Sequence, residues 1–326
     1  MPDANEPRIG LCLSGGGFRA TLFHLGVTRY LYERGLLRNV THITSVSGGS
    51  ILAAHLVLHW ERYNGSPSEF DAAVAELAGI FRHDLRGRVV CPWLFSCVTY
   101  PFTRLWCPRW WWRTRRLQAG YDLLYRGARM ADLDQPGRPK LSILATSMTS
   151  GDMACFAGRK FLVVRNPDLD GSNGARIFPE VTPAGDVPVA LAVAASSAFP
   201  PLFPPVVVGE ETFGGADFPT PCHLADGGVF DNLGIRRLAW MARPDGGLEL
   251  DMLVVSDAQR AFETEVQSEY NFLWTRAARS TDLMMNRLSF GEKRAAAHLA
   301  KERGWRLRDC ELLRHVDSAK PYALSD

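Results

Sequence analysis

The sequence predicts an α/β fold with a central, mostly parallel sheet flanked by helices. Two strand–loop–helix units near the start of the chain indicate this class. Ile9 to Leu13 forms an apolar run ahead of a glycine loop, and residues 20–34 then place apolar side chains at helical spacing. Residues 43–46 form a second short strand before a serine-glycine turn, and another apolar helix follows. Strands and helices that alternate in this way build a parallel sheet with crossover helices.

Further predicted strands and helices follow along the chain, which has no internal repeat and no low-complexity tract. Apolar runs and helical periodicity predict helices at 70–81, at 187–195 and over much of 267–288, and strands at 141–145, 161–164 and 252–255. A chain of 326 residues can bury a sizeable core without disulfides or metals.

Composition excludes several classes of protein. The net charge is only +2, so the overall balance does not suggest a nucleic-acid binder. Seven cysteines are present, an odd number, and none form a CxxC pair. We therefore expect reduced thiols rather than a disulfide framework or a structural zinc site. The oligomeric state stays open.

The sequence favours a cytoplasmic protein, with peripheral contact at a membrane as a further expectation. Its first residues have neither a basic region nor an apolar region of the kind that a secretory signal needs. No uninterrupted apolar run reaches the roughly 18 residues of a membrane span.

Ser47 is the candidate nucleophile, in the run Ser45-Val46-Ser47-Gly48-Gly49 at a strand-to-helix turn. Such a turn exposes the serine oxygen, and small neighbours such as Gly48 let a substrate approach. The following helix N-terminus favours developing negative charge. Ser45 stands where the esterase pattern G-x-S-x-G has its first glycine. An ordinary glycine-serine turn or a phosphate-binding loop is the alternative at this segment.

Gly15, Gly16 and Gly17 follow the first strand and form a candidate oxyanion hole. Acyl transfer needs backbone N–H donors aimed at the tetrahedral intermediate, and glycines leave these amides open to a ligand. A dinucleotide or phosphate loop is the alternative, but neither the G-x-G-x-x-G nor the G-K-[ST] pattern is present.

Two aspartates lie next to glycines or at the end of a predicted strand. Asp226 precedes Gly227-Gly228, where a carboxylate could act directly as the base for a serine, although a β-turn aspartate is the simpler interpretation of an isolated Asp-Gly. Asp257 follows the strand at 252–255 and could line a pocket at the sheet edge or cap a helix.

These motifs together resemble the patatin-like phospholipases, over about residues 8–257. The four segments that carry the resemblance are the oxyanion loop Ser14–Ala20 (SGGGFRA), the nucleophile turn Ser45–Ser50 (SVSGGS), the proline-rich segment Ala195–Pro205 (ASSAFPPLFPP) and the acid segment Asp226–Gly234 (DGGVFDNLG). The resemblance implies a three-layer patatin-like fold at 8–260. It leaves 261–326 as a helical C-terminal extension packed on the same domain.

The resemblance also implies a mechanism, in which Ser47 is the nucleophile and Asp226 its base. The amides of Gly15, Gly16 and Gly17 would hold the oxyanion, and Arg19 matches the loop arginine of the family. An acyl-enzyme would form as an intermediate, and water would then release the fatty acid from it. The substrate would be a fatty-acyl ester of a phospholipid or another lipid, and the resemblance implies no cofactor and no metal.

Two other functions remain open from the sequence. A Ser-His-Asp esterase would use His223, His298 or His315. A catalytically inactive lipid-binding or scaffold protein on the same fold is the third hypothesis.

Residues 85–121 form an aromatic and basic insertion with no acidic residue. Trp110, Trp111 and Trp112 are consecutive within it, and seven arginines accompany the aromatic side chains. Tryptophan favours the headgroup level of a bilayer, and arginine is attracted to anionic lipid. We expect peripheral membrane contact through this segment. An irregular cap on the core, a dimer interface and a lid over the acyl channel are the alternatives.

Overall fold

The structure is a computed structural model that describes residues 6–82, 110–165, 178–200, 203–242, 247–259 and 273–312. One ten-stranded sheet runs through it. Its strands are β1 (Ile9–Leu13), β2 (Val40–Val46), β3 (Lys140–Ser147), β4 (Met153–Ala157), β5 (Lys160–Val164), β6 (Val181–Pro183), β7 (Val206–Val208), β8 (Cys222–Asp226), β9 (Met252–Asp257) and β10 (Arg306–Glu311).

Helices cover both faces of the sheet, giving three layers. They are α1 (Gly17–Glu33), α2 (Gly48–Leu58), α3 (Trp60–Tyr63), α4 (Pro67–Arg82), α5 (Trp110–Tyr125), α6 (Met130–Leu133), α7 (Val189–Ser196), α8 (Ile235–Met241) and α9 (Leu273–Arg303). Short 3₁₀ turns occupy Leu37–Asn39, Glu210–Phe213 and Gly227–Val229.

Alternation along the central strands explains the two buried faces. In β1, Leu11 and Leu13 join the larger apolar cluster, while Cys12 joins a smaller cluster on the other side with Leu238 of α8 and Leu299 of α9. Because successive side chains of a strand point to opposite faces, a strand buried on both sides reads as a continuous apolar run. The predicted α/β class is confirmed.

The central strands of the sheet are parallel, as predicted, and antiparallel strands extend it on one side. The order is β10-β9-β1-β2-β3-β4-β5-β6, and β10 through β3 run parallel to one another. Beyond β3 the strands pair antiparallel, and of β4, β5 and β6 only β5 was predicted from the sequence, as the strand at 161–164. The short strand β8 also pairs antiparallel with β3.

The edge of β3 is where two chain segments that are far apart in sequence meet. Val46, the last residue of β2, lies opposite Leu144, and Asp226, the last residue of β8, lies opposite Ala145. β8 therefore continues along the side of β3 that β2 leaves. The residue after β2 is Ser47, so this register brings it to the end of β8.

The C-terminal extension contains more than helix. Helix α9 spans 31 residues and packs against α8, and β10 then joins the sheet parallel to β9. The strand was not predicted, and it adds an edge to the sheet of the main domain.

Part of the aromatic insertion belongs to the core. Leu117 and Tyr121 of α5 are buried in the larger apolar cluster, while Arg115 and Arg116 on the same helix are exposed. The side chains of Trp110, Trp111 and Trp112 in its first turn lie outside the described residues, as does the rest of the insertion before them.

Among the described residues, no helix combines the length and the apolar character needed to cross a bilayer. Within the same part of the chain, Cys12, Cys155, Cys222 and Cys310 are free thiols.

Candidate active site

Ser47 occupies a strained turn between β2 and α2. Its backbone has φ 50° and ψ −118°, a region that non-glycine residues rarely adopt and that costs about 1–3 kcal/mol. The turn is tight because Gly48 and Gly49 pack against other backbone. A Cβ on Gly48 would overlap the carbonyl oxygen of Gly17, and one on Gly49 would lie 2.5 Å from the carbonyl oxygen of Leu13. Both glycines are therefore required by the close approach of the two loops.

A directed chain of buried serine hydroxyls supports this turn. The Ser47 amide donates to Ser196 Oγ at 2.9 Å, and Ser196 Oγ lies 2.9 Å from Ser50 Oγ. Ser50 donates to Ser45 Oγ at 3.1 Å, and Ser45 donates to the carbonyl of Ser142 at 3.4 Å. Since the Ser50 hydrogen is used on Ser45, Ser196 is the donor to Ser50. The chain gives Ser45 a bonding role at the position where a glycine was expected.

Asp226 lies at the end of β8 with its carboxylate buried. The carboxylate accepts a hydrogen bond from the amide of Gly228 at 2.8 Å, and it lies close enough to the hydroxyl of Ser47 for the two groups to interact. Burial raises the pKa of Asp226 to about 6, and the interactions with Ser47 and Gly228 oppose that rise. The backbone is held by Thr146, whose hydroxyl donates to the Asp226 carbonyl at 2.9 Å. The structure therefore brings together the two residues that the motifs proposed as a dyad.

The glycine loop lies directly against Ser47. A Cβ on Gly15 would be 3.5 Å from Ser47 Cβ. Gly16 and Gly17 have positive φ values of 138° and 65°, and Gly17 begins α1. The first amides of a helix have no intrahelical acceptor, so this end can offer N–H donors to a ligand. The Gly15 amide is engaged differently, because it donates to the carbonyl of Asn232 at 3.1 Å.

A buried histidine fixes the back of this loop, and sequence analysis missed it. His24 Nε2 lies 2.9 Å from the carbonyl of Ser14, so Nε2 carries the hydrogen. Its Nδ1 therefore accepts from the Ser256 hydroxyl at 2.7 Å. Burial lowers the pKa of His24 to about 4, which keeps the ring neutral and this tautomer in place.

Arg19 and Asp257 stabilise the neighbouring end of β9. Arg19 Nη2 donates to the carbonyl of Ala258 at 3.1 Å. The buried Asp257 forms an ion pair with Lys293 of α9 at 2.8 Å and caps the amide of Gln259 at 2.8 Å. Arg19 thus connects the first turn of α1 to the residue after β9, and Asp257 connects the end of β9 to α9.

The histidines that sequence analysis considered lie elsewhere. The ring of His223 is 3.5 Å from the Thr149 hydroxyl, and His298 is exposed on α9. His315 lies outside the described residues. Within the described part of the chain, no histidine ring bonds to Asp226.

A separate group of His55, His59 and Glu76 has potential ligand atoms within 4.8 Å of one another. The negative charge of Glu76 is already neutralised by two arginines, because its two oxygens pair with Arg62 at 2.7 Å and with Arg126 at 2.8 Å. A divalent cation would face both guanidiniums there. We interpret the group as an ion-pair network.

The sequence profile of the patatin-like phospholipase family matches residues 11–239, and the chain belongs to this family. That range contains the glycine loop, Ser47 and Asp226 but not α9. A search of curated proteins found no match.

Solved structures with related folds share little sequence identity with the chain. Human GIVD cytosolic phospholipase A2 is 15% identical with a TM-score of 0.45, and the match covers 77% of this chain and 43% of that one. VipD from Legionella pneumophila is 15% identical with a TM-score of 0.39, covering 91% of this chain and 56% of that one. The matched part is thus less than two thirds of either relative.

Proposed function

We propose that the protein is a lipid acyl hydrolase that cleaves fatty-acyl ester bonds through a Ser47–Asp226 dyad. The placement of a serine in a strained strand-to-helix turn beside a buried carboxylate carries this proposal. Membership of the patatin-like phospholipase family supports a lipid ester as the substrate class.

In the first step Asp226 takes the proton of Ser47 as the serine oxygen attacks the ester carbonyl. The oxyanion that forms accepts hydrogen bonds from the amides of Gly16 and Gly17. Gly15 has a structural part, because its amide bonds to Asn232. The tetrahedral intermediate collapses, and the leaving alcohol takes the proton from Asp226.

Water then attacks the acyl-enzyme while Asp226 accepts its proton, and the second tetrahedral intermediate collapses as Asp226 returns that proton to the Ser47 oxygen and the fatty acid leaves. The Ser47 turn aids the attack because its strained backbone and its bond to Ser196 hold the oxygen in one position. Gly48 and Arg19 support the loops rather than touching the ester.

The test is a chromogenic short-chain fatty-acyl ester together with a fluorophosphonate probe that labels activated serines. Ser47→Ala and Asp226→Asn are each expected to lower turnover by roughly 10⁴-fold or more while remaining folded. Asp217→Asn is the matched control, since Asp217 is exposed and lies outside the strand that carries Asp226. Peptide mapping of the labelled wild type should place the probe on Ser47. If the probe labelled Ser47→Ala as strongly as the wild type, the nucleophile would be a residue other than Ser47.

The same assays separate the two rival functions. An inactive lipid-binding protein would show neither turnover nor labelling in the wild type. A Ser-His-Asp esterase would lose nearly all activity when His223, His298 or His315 is replaced, whereas the dyad retains most of it. Chelators are expected to leave turnover of a dissolved ester unchanged.

A further inference from the structure

Glu292 of helix α9 has a buried carboxylate that lies close to the candidate site. Glu292 is 2% exposed. Its Oε1 accepts the amide hydrogen of Asn232 at 3.1 Å, and its Oε2 accepts that of Leu233 at 3.0 Å. Both oxygens thus bond to consecutive backbone amides in the segment that joins Asp226 to α8.

Asn232 connects this carboxylate to both halves of the site. Its carbonyl accepts the Gly15 amide at 3.1 Å. Its Oδ1 would lie 2.5 Å from a Cβ on Gly15 and 2.6 Å from one on Gly228. The Asn232 side chain therefore fills the space between the glycine loop and the turn that carries Asp226, and its position sets their separation.

Attachment of α9 does not by itself require a charge at this position. Ala296, Leu299 and Ala300 of the same helix already dock it through a buried apolar cluster. The carboxylate is also costly, because burial and the neighbouring Asp231 raise the pKa of Glu292 to about 8, with the hydrogen bonds from the Leu233 and Asn232 amides opposing that shift. What the charge adds beyond docking is a pair of charge-assisted bonds to the Asn232 segment.

We propose that Glu292 is a positioning residue for the hydrolase site, acting through Asn232 to hold the glycine loop in register with Asp226. This inference rests on the proposed function. Glu292 lies beyond residues 11–239, which the family profile matches, so a residue of the C-terminal extension completes the site.

The test compares Glu292→Gln with Glu302→Gln, a control at an exposed position of the same helix. Glutamine keeps the shape but turns an N–H donor toward one of the two amides. The assay uses a short soluble ester at about pH 9, above the raised pKa, so that the wild-type carboxylate is charged. Glu292→Gln should lower kcat by about 10- to 100-fold with KM nearly unchanged. Displaced loops reduce the stabilisation of the transition state more than they reduce the binding of the substrate. A wild-type kcat per folded molecule would overturn the proposal.

A second readout does not depend on catalysis. Amide hydrogen exchange at Gly15 should accelerate in Glu292→Gln and stay at the wild-type rate in Glu302→Gln. Unchanged protection of Gly15 would overturn the coupling even if activity fell. If Glu292→Gln does not fold, Glu292→Asp shortens the side chain while keeping its charge and is judged by the same two readouts. Failure of the proposed function looks different, because the wild type itself would then resist fluorophosphonate labelling.

Discussion

Ser196 Oγ accepts the amide hydrogen of Ser47 at 2.9 Å, which makes the last residue of α7 a support for the candidate nucleophile. The bond matters because the Ser47 backbone is strained and needs surrounding contacts to hold it. Ser196 also passes its own hydrogen to Ser50 in the buried hydroxyl chain. Ser196, which belongs to the proline-rich segment Ala195–Pro205, thus stabilises the Ser47 turn through a hydrogen bond to its backbone.

Ser196→Ala is expected to lower kcat about 5- to 10-fold, in line with a lost hydrogen bond of about 1 kcal/mol at a position that determines the geometry of attack. The same substitution at the exposed Ser280 is the control. Steady-state kinetics with a soluble ester provide the measurement. An unchanged kcat would show that the turn holds its geometry without this bond.

The candidate dyad could be proposed from the sequence because its signals are local. Ser47 and Asp226 each lie next to glycines at the end of a strand, and the carboxyl end of β2 is a natural place for a site in an α/β sheet. Short motifs of this kind specify a backbone turn without reference to the rest of the chain.

The supports of the site were not predictable, because they depend on which distant segments pack together. Ser196 is 149 positions from Ser47, and Glu292 is 60 positions from Asn232. His24 reads as one more residue of an amphipathic helix until Ser256 is placed beside it. Short strands such as β6 and β7 span three residues each, too few for periodicity to show.

The pKa of Asp226 predicts the pH dependence of activity. A base must be ionised to accept a proton, so kcat/KM should rise with pH through an apparent pKa of about 6 and level off above it. Rates with a soluble ester across pH 4.5 to about 8, with folding checked at each pH, give the profile. An activity that stays level down to pH 4.5 would contradict Asp226 as the base.

The same pKa predicts a gain in stability when the base is removed. Since the folded-state pKa is raised above the unfolded value, Asp226 binds protons more tightly in the folded state, and stability falls as pH rises from about 4 to about 6. Above that range the buried charge costs up to about 3 kcal/mol. Asp226→Asn should therefore melt at a higher temperature than the wild type at pH 8 and close to it at pH 4. A lower melting temperature at pH 8 would mean that the hydrogen bonds outweigh burial.

The contact between the two glycine loops predicts opposite effects for two glycine-to-alanine substitutions. Gly48→Ala should destabilise the fold by about 1–3 kcal/mol or more and reduce turnover, because its Cβ would overlap the Gly17 carbonyl. Gly26 lies within α1, and a Cβ added to it would meet no atom within 4 Å, so Gly26→Ala should stabilise by about 0.5–1 kcal/mol. Chemical denaturation measures both. Equal stabilities for the two variants would show that the loops separate readily.

The aromatic insertion predicts a separation of membrane binding from catalysis. Trp110, Trp111 and Trp112 begin the same helix whose Leu117 and Tyr121 are buried in the core. If the tryptophans contact a bilayer, their replacement by alanine should weaken binding to anionic vesicles while hydrolysis of a small soluble ester persists. Added salt should weaken the binding of the wild type to anionic vesicles, because salt screens the attraction between exposed arginines and anionic lipid.

Leu123→Ala is the matched control for this experiment, since Leu123 is 75% exposed on the same helix and lies outside the aromatic run. Vesicle sedimentation and ester kinetics are measured on all three proteins. Because tryptophan is favoured at the headgroup level, the triple variant should lose more vesicle binding than Leu123→Ala does. Loss of folding in the triple variant would place the tryptophans in the core with Leu117. Vesicle binding equal to that of the wild type would contradict membrane contact through these residues and favour a lid or a dimer interface.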